Sequence, residues 1–283
     1  MLYFKRTIND TTLKLHIDKN LYLKNVGLFE TLLSTYKKTF LDTKNESTDN
    51  DIALEIVSGN TFKKCIDKAP YRIFCNAIDK HFAFQLIGAL EDWYANILNC
   101  TIIHGSCVRL NNKNILLIGE RKSGKTTLTS YLSLVLHAEY IDDDCVYISK
   151  SKYIGFNMPI SVRENVDQLM ESNMVGETFD GETMRTIYYP PKTSPSVHNI
   201  DVVILPKYNN ENDFVRKLDK SEAFKTIINN VRHSKDMCTL FQDINNLLKN
   251  TKVYEVAYRN TNNFIAITNF LFYQGMTESE NNN

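Results

Sequence analysis

The sequence has no surplus of charge: 33 lysines and arginines stand against 33 aspartates and glutamates in 283 residues. Without a net positive field nothing concentrates polyanions over the whole surface, which excludes general coating of nucleic acid. Long hydrophobic runs are missing as well. The longest apolar-rich windows, Ile200–Pro206 and Phe264–Tyr273, fall far short of the roughly 20 residues of a membrane span, so no membrane partner is expected. Met1 is followed closely by Lys5 and Arg6, without the apolar core of a secretory signal. The six cysteines, Cys65, Cys75, Cys100, Cys107, Cys145 and Cys238, form no C-x-x-C pair and have no histidine cluster at zinc-ligand spacing. They read as reduced, mostly buried thiols of a cytoplasmic protein. No internal repeat is visible. What is present, 43% hydrophobic and 23% charged residues, is the composition of a folded chain with length for one large domain or two small ones.

Residues 1–80 read as a small α+β module. Short apolar runs at Leu13–Ile17, Ile52–Val57 and Tyr71–Cys75 accompany a helix-like stretch, Val26–Phe40, and a solvated loop, Asp42–Asp51. From His81 to Asn99, Phe84, Ile87, Leu90, Tyr94 and Ile97 recur at three- and four-residue steps, which predicts an amphipathic helix bordered by Trp93. Beyond it, strands alternate with helices, the pattern of an α/β domain over 81–275, and 276–283 form a polar tail expected to be disordered. The expected strands are Thr101–Leu110 and Ile115–Ile118 across the turn Asn111–Asn114, then Tyr140-Ile141, Cys145–Ile148, Ile187–Pro191, Ile200–Pro206 and Val253–Tyr258. The expected helices are Thr127–Leu136, Ser161–Ser172, Ser221–His233, Asp236–Asn250 and Thr261–Tyr273.

Gly119-Glu120-Arg121-Lys122-Ser123-Gly124-Lys125-Thr126 is a complete Walker A pattern, placed where such a loop works, between an apolar strand and a helix. Glycine lets the backbone curl so that successive N–H groups face one phosphate chain, and the following helix adds its N-terminal partial charge. Lys125 is then positioned for the β- and γ-phosphates, and the Thr126 hydroxyl for Mg2+. Thr127 closes the candidate nucleotide-binding stretch. Arg121 and Lys122 either assist the phosphates or are simply solvated.

Less than 20 residues later comes Asp142-Asp143-Asp144. Three adjacent carboxylates repel one another unless a cation offsets them, and a divalent ion is the obvious one. In an extended stretch neighbouring side chains alternate sides, so Asp143 and Asp144 can divide the work between metal and acceptor. An alcohol acceptor needs a base for its proton, which a spare carboxylate supplies. His104 sits at the end of the strand that pairs with the strand before the loop, and is a candidate to orient that cluster.

Ile103-His104-Gly105, the hairpin, Ile115 through Thr126, and Tyr140-Ile141-Asp142-Asp143-Asp144 resemble the catalytic core of the HPr serine kinase family, whose nucleotide fold is akin to that of phosphoenolpyruvate carboxykinase. The resemblance covers about 45 residues, His104 to Ile148. It implies a P-loop kinase core of that type, ATP and Mg2+ bound through Lys125 and Thr126, Asp143 as the base, Asp144 near the metal and His104 in the active site. Arg163, in the weaker echo Pro159–Arg163, is by the same likeness a candidate substrate contact beside its plain reading as a surface arginine. Thr127 departs from the acidic residue of true HPr kinase/phosphorylases, and the glycine-rich loop of the reverse reaction is not found. The likeness is therefore greater to kinase-only relatives, among them lasso-peptide tailoring kinases that phosphorylate a precursor serine.

The expected function is transfer of phosphate from ATP to a Ser or Thr hydroxyl of a peptide or small protein. The residues also suit a small-molecule hydroxyl kinase, a phosphoenolpyruvate carboxykinase-like enzyme, or a nucleotide-binding regulator without transfer. Related kinases often form homo-oligomers.

Overall fold

A computed structural model describes residues 2–8, 11–24, 51–66, 68–75, 85, 88–89, 92–97, 99–149, 152–155, 160–162, 174–179, 184–188, 190–194, 196–208, 213–234, 236–260 and 264–269. Among these the architecture is mixed α/β, with four sheets and few helices. The stretches Val26–Phe40 and 276–283, Arg163, and most of Asp42–Asp51 and Ser161–Ser172 lie outside the described residues.

The central six-stranded sheet contains β7 (Gly105–Leu110), β8 (Lys113–Ile118), β9 (Glu139–Asp142), β16 (Val202–Tyr208), β17 (Phe214–Lys217) and β19 (Lys252–Tyr258), numbered along the whole chain. Its order is β17-β19-β16-β8-β7-β9, with β8, β16 and β19 parallel. β7 and β8 form the expected hairpin. Asn111 and Asn112, at φ 49° and 59°, occupy its two-residue turn in the left-handed conformation that asparagine tolerates.

Because side chains alternate across a strand, the four consecutive buried residues Ile115–Ile118 serve both faces. Ile115 and Leu117 pack with Leu128, Tyr131 and Leu132 of the segment behind the loop. Leu116 and Ile118 pack with Ala223, Ile227, Leu240 and Ile244 of the helices Lys220–Ile228 and Met237–Lys249. The strand is thus buried on both faces up to its last residue, and Gly119 follows it directly.

A second sheet runs β15 (Ser196–Val197), β11 (Lys152–Ile154), β10 (Val146–Ser149), β6 (Thr101–Ile103), β18 (Val231–His233). Two chain segments cross between it and the central sheet. One leaves β6 through His104 into β7, and the other leaves β9 through Asp143–Cys145 into β10. The first crossing needs glycine, since a Cβ at Gly105 would lie 2.6 Å from the Leu117 carbonyl oxygen.

The N-terminal strands β1 (Leu2–Ile8), β2 (Thr11–Ile17), β3 (Asp51–Ser58), β4 (Lys63–Cys65) and β5 (Tyr71–Cys75) form one sheet in the order β1-β2-β3-β5-β4. Its Ile17, Leu54, Ile56 and Ile73 share a core with Trp93 and with Ile102 and Tyr147 of the second sheet. Residues 92–97 are helical, and Trp93 is fully buried within that core, whereas the spacing predicts it at the border of the apolar face.

Four expectations change. The strand expected over Thr101–Leu110 breaks at His104 into β6 and β7, which belong to different sheets. The helix expected from Thr127 through Leu136 is α-helical only over Lys125–Ser130 and continues as a π-helix, Tyr131–Val135. Ser161 does not open a helix. Ile160–Val162 is a strand (β12) paired with Met184–Tyr188 (β14), and its burial alternates with period two. The helix expected over Ser221–His233 stops at Ile228, and Val231–His233 pairs with β6 instead. The helix Met237–Lys249 forms as expected, with Asp236 capping it by accepting from the Thr239 N–H.

Candidate active site

The parallel strands β8, β16 and β19 end at Ile118, Tyr208 and Tyr258, and the Gly119–Thr126 loop lies at that edge, where ligands bind in sheets of this kind. Lys122 and Gly124 adopt left-handed backbone conformations, with φ 67° and 96°. The Tyr258 hydroxyl donates to the Gly124 carbonyl at 2.8 Å, and the Tyr208 N–H donates to the Ser123 carbonyl at 3.0 Å. A Cβ on Gly124 would fall 1.7 Å from the Tyr258 oxygen, so only glycine fits. Glu120, Arg121 and Lys122 are exposed, while Ser123, Thr126 and Thr127 are half-buried. On the other side, Ser106 and Thr129 share a 2.6 Å hydrogen bond that ties the helix to β7.

Lys125 is buried, 5% exposed, with its ammonium donating to the carbonyls of Gly119 at 2.6 Å and Glu120 at 3.0 Å. Burial lowers its pKa, opposed by the charges of Asp143 and Asp144. A lysine that curls over its own loop carbonyls, with acidic neighbours, is poised for a polyanion entering the loop.

Asp143 is buried, and its Oδ1 has no hydrogen-bond partner. Burial first, then the charge of Asp144, pushes its pKa up to about 6, against the hydrogen bond from Thr126 and the charge of Lys125. The Asp143 N–H donates to Asp142 Oδ1 at 2.9 Å, which holds the turn. Asp144 sits at φ 79°, so the next side chain swings to a different partner set.

Asp144 Oδ1 accepts from His104 Nε2 at 3.0 Å and from Arg232 Nη2 at 2.9 Å. Desolvation works to raise the Asp144 pKa, but these hydrogen bonds and charges prevail and hold it below the usual carboxylate range. Sheet register produces this meeting. Ile103 stands opposite both Val146 and Val231, so the residues just beyond β6, before β10 and within β18 converge at one sheet end. The His104 N–H also donates to the Asn230 carbonyl at 2.7 Å, which fixes the crossing.

The structure thus brings together Lys125, Thr126, Asp143, Asp144 and His104 among the expected residues. Arg232 is the addition. Its guanidinium spans Asp144 and the Cys145 sulfur, 2.8 Å from Nη1. Beside it opens a cleft of about 300 Å³ lined by Phe62, Lys64, Asp92, Ile102 and His233 among others.

No group of three or more His, Cys, Asp or Glu among the described residues is arranged to hold a metal unaided. The orphaned Asp143 oxygen, the adjacent Thr126 hydroxyl and the left-handed Gly124 within the loop fit a site that takes a nucleotide with its cation.

No protein-family model and no curated protein matches the chain. Among solved structures, the HPr(Ser) kinase/phosphatase from Coxiella burnetii aligns over 63% of this chain and 98% of its own, at 13% identity and a TM-score of 0.32. Among the described residues no helix is long and apolar enough to cross a membrane.

Proposed function

We propose that this chain is a cytoplasmic, HPr kinase-like enzyme that transfers phosphate from ATP, with Mg2+, to a Ser or Thr hydroxyl of a peptide or small protein. One observation carries the proposal: a buried carboxylate oxygen without a partner, on Asp143, beside Lys125 and Thr126 of the phosphate-loop motif. The sequence resemblance around His104, the loop and the aspartates supports the same reading.

Residues 119–127 would hold the triphosphate, with Lys125 as the principal cation, and Thr126 with Asp144 would hold Mg2+. The metal supplies charge neutralisation at the transferring phosphoryl group. Asp143 Oδ1 accepts the proton of the acceptor hydroxyl. The hydroxyl oxygen bonds to the γ-phosphorus while the bond to the bridging oxygen breaks, and that electron pair leaves with ADP. The Asp143 carboxyl stays protonated until solvent takes the proton. His104 and Arg232 hold Asp144 in its ionised form.

The hydrogen bond from Thr126 to Asp143 favours a second assignment of the pair, in which Asp143 serves the metal and Asp144, held by His104, faces the acceptor. Dependence of the rate on Mg2+ concentration separates the two: a raised Mg2+ requirement in Asp144→Asn supports the first, and in Asp143→Asn the second.

Incubating the purified chain with serine- and threonine-containing peptides and labelled ATP tests the function. Phosphopeptide is the expected product. A phosphate mass shift on metabolites alone would move the acceptor to small hydroxyl compounds, and ATP binding with no transfer to either would leave a nucleotide-dependent regulator.

A further inference from the structure

The loop and Lys125 offer backbone donors and a cation, which address phosphate and say nothing of a base. The neighbouring aromatic pair does. Tyr208 is the last residue of β16 and lies in register with Tyr258, the last residue of β19. Its N–H is bonded to the Ser123 carbonyl, so its backbone is tied to the loop. Its ring meets the Tyr258 ring edge-on, with centroids 5.7 Å apart and planes at 62°.

Tyr258 is in turn immobilised. It is buried, bonded to Gly124 through its hydroxyl and packed edge-on against Phe264 with centroids 4.8 Å apart. Yet the Tyr208 ring, anchored on this support, leaves 56% of the residue in solvent. A large aromatic surface held at the mouth of a phosphate loop is matched to a flat, unsaturated ring carried on a phosphate chain.

We propose that Tyr208, backed by Tyr258, forms a stacking shelf for the nucleobase of a purine nucleoside triphosphate whose phosphates occupy the Gly119–Thr126 loop. This rests on the nucleotide reading given above and adds the group that grips the base. Stacking is tolerant of base identity, so adenine and guanine are both accepted on the shelf.

Calorimetric titration of the full chain with ATP and, separately, with inorganic tripolyphosphate, each with Mg2+, tests it. Tyr208→Ala is expected to weaken ATP binding about tenfold, the usual scale for removing one stacked aromatic. Tripolyphosphate, which has no base, is expected to bind this variant as it binds the parent, and so also reports that the loop is intact. Tyr208→Phe, which keeps the ring, is expected to retain both affinities. Unchanged ATP affinity in Tyr208→Ala overturns the shelf, and so does an equal loss of ATP and tripolyphosphate, which would assign Tyr208 to loop structure. A parent chain that binds neither compound would overturn the nucleotide reading itself and the shelf with it.

Discussion

His104 Nε2 lies 3.0 Å from Asp144 Oδ1, and the two residues stand on different chain segments that cross between the same pair of sheets. The contact links β6 to the start of β10 at the point where the acidic run meets the phosphate-loop motif. Arg232 completes it from β18, so groups from the end of β6 and from β18 hold the carboxylate that precedes β10.

Arg232→Ala is expected to lower phosphoryl transfer while ATP still binds. The Asp144 carboxylate, whose side chain is 63% exposed, would lose one of two charge-assisted hydrogen bonds, worth about 0.2–1 kcal/mol in a solvent-accessible pair, or up to about fivefold in rate. Lysine at this position keeps the charge but not the fork that spans Asp144 and Cys145, and is expected to recover only part of the loss. Steady-state rates beside calorimetric ATP affinities for the parent and both variants check this.

Gly124→Ala is expected to abolish detectable ATP binding, because its Cβ meets the Tyr258 oxygen at 1.7 Å and the residue must keep φ 96°. Tyr258→Phe removes the clamp without the clash. It is expected to cost about 1 kcal/mol of stability, the usual net value of one hydrogen bond, with the fold retained. Thermal unfolding and ATP titration of the two variants distinguish the effects.

Much of this site is legible in the sequence because it is local. The Gly119–Thr126 motif, the apolar Ile115–Ile118 strand before it and the Asn111-Asn112 turn are set by neighbouring residues. Arg232 is not local. The pattern over Ser221–His233 reads as one helix, yet Asn229 and Asn230 end it, with the Asn230 amide donating back to the Thr226 carbonyl. The three residues Val231–His233 then gain more by pairing with β6 than by extending an exposed helical turn. Likewise Tyr208 and Tyr258 carry no motif. Their neighbourhood is created by parallel strand pairing over a long sequence separation, which periodicity cannot reveal.

Asp143 should be a source of instability in the protein without nucleotide or metal. Its pKa rises from 3.8 to about 6 on folding, so the folded state holds its proton more tightly than the unfolded state. Stability from this group is full below the unfolded value and is lost as pH rises through about 6. Asp143→Asn removes the penalty and is expected to be more stable than the parent at pH 7 by about 1–3 kcal/mol, with the advantage gone near pH 4. Paired melting curves in chelator at the two pH values provide the check.

The thiols should separate by burial. Cys238 is exposed and Cys65 half-buried, whereas Cys75, Cys100, Cys107 and Cys145 are buried. Burial pushes the pKa of Cys75 up to about 11 and that of Cys100 up to about 12, leaving little thiolate near neutrality. A colorimetric thiol reagent at pH 8 is expected to label Cys238 first and Cys65 more slowly, with the four buried thiols reacting only after denaturation. Mass spectrometry of the labelled peptides identifies the order.

The most direct measurement on the proposed chemistry is the pairing of ATP affinity with phosphoryl transfer in Asp143→Asn. With the base removed and the loop intact, ATP affinity is expected to stay near the parental value while transfer to an acceptor peptide falls about 10²- to 10⁴-fold. Transfer at the parental rate, or loss of ATP binding in proportion to transfer, would contradict the role given to Asp143.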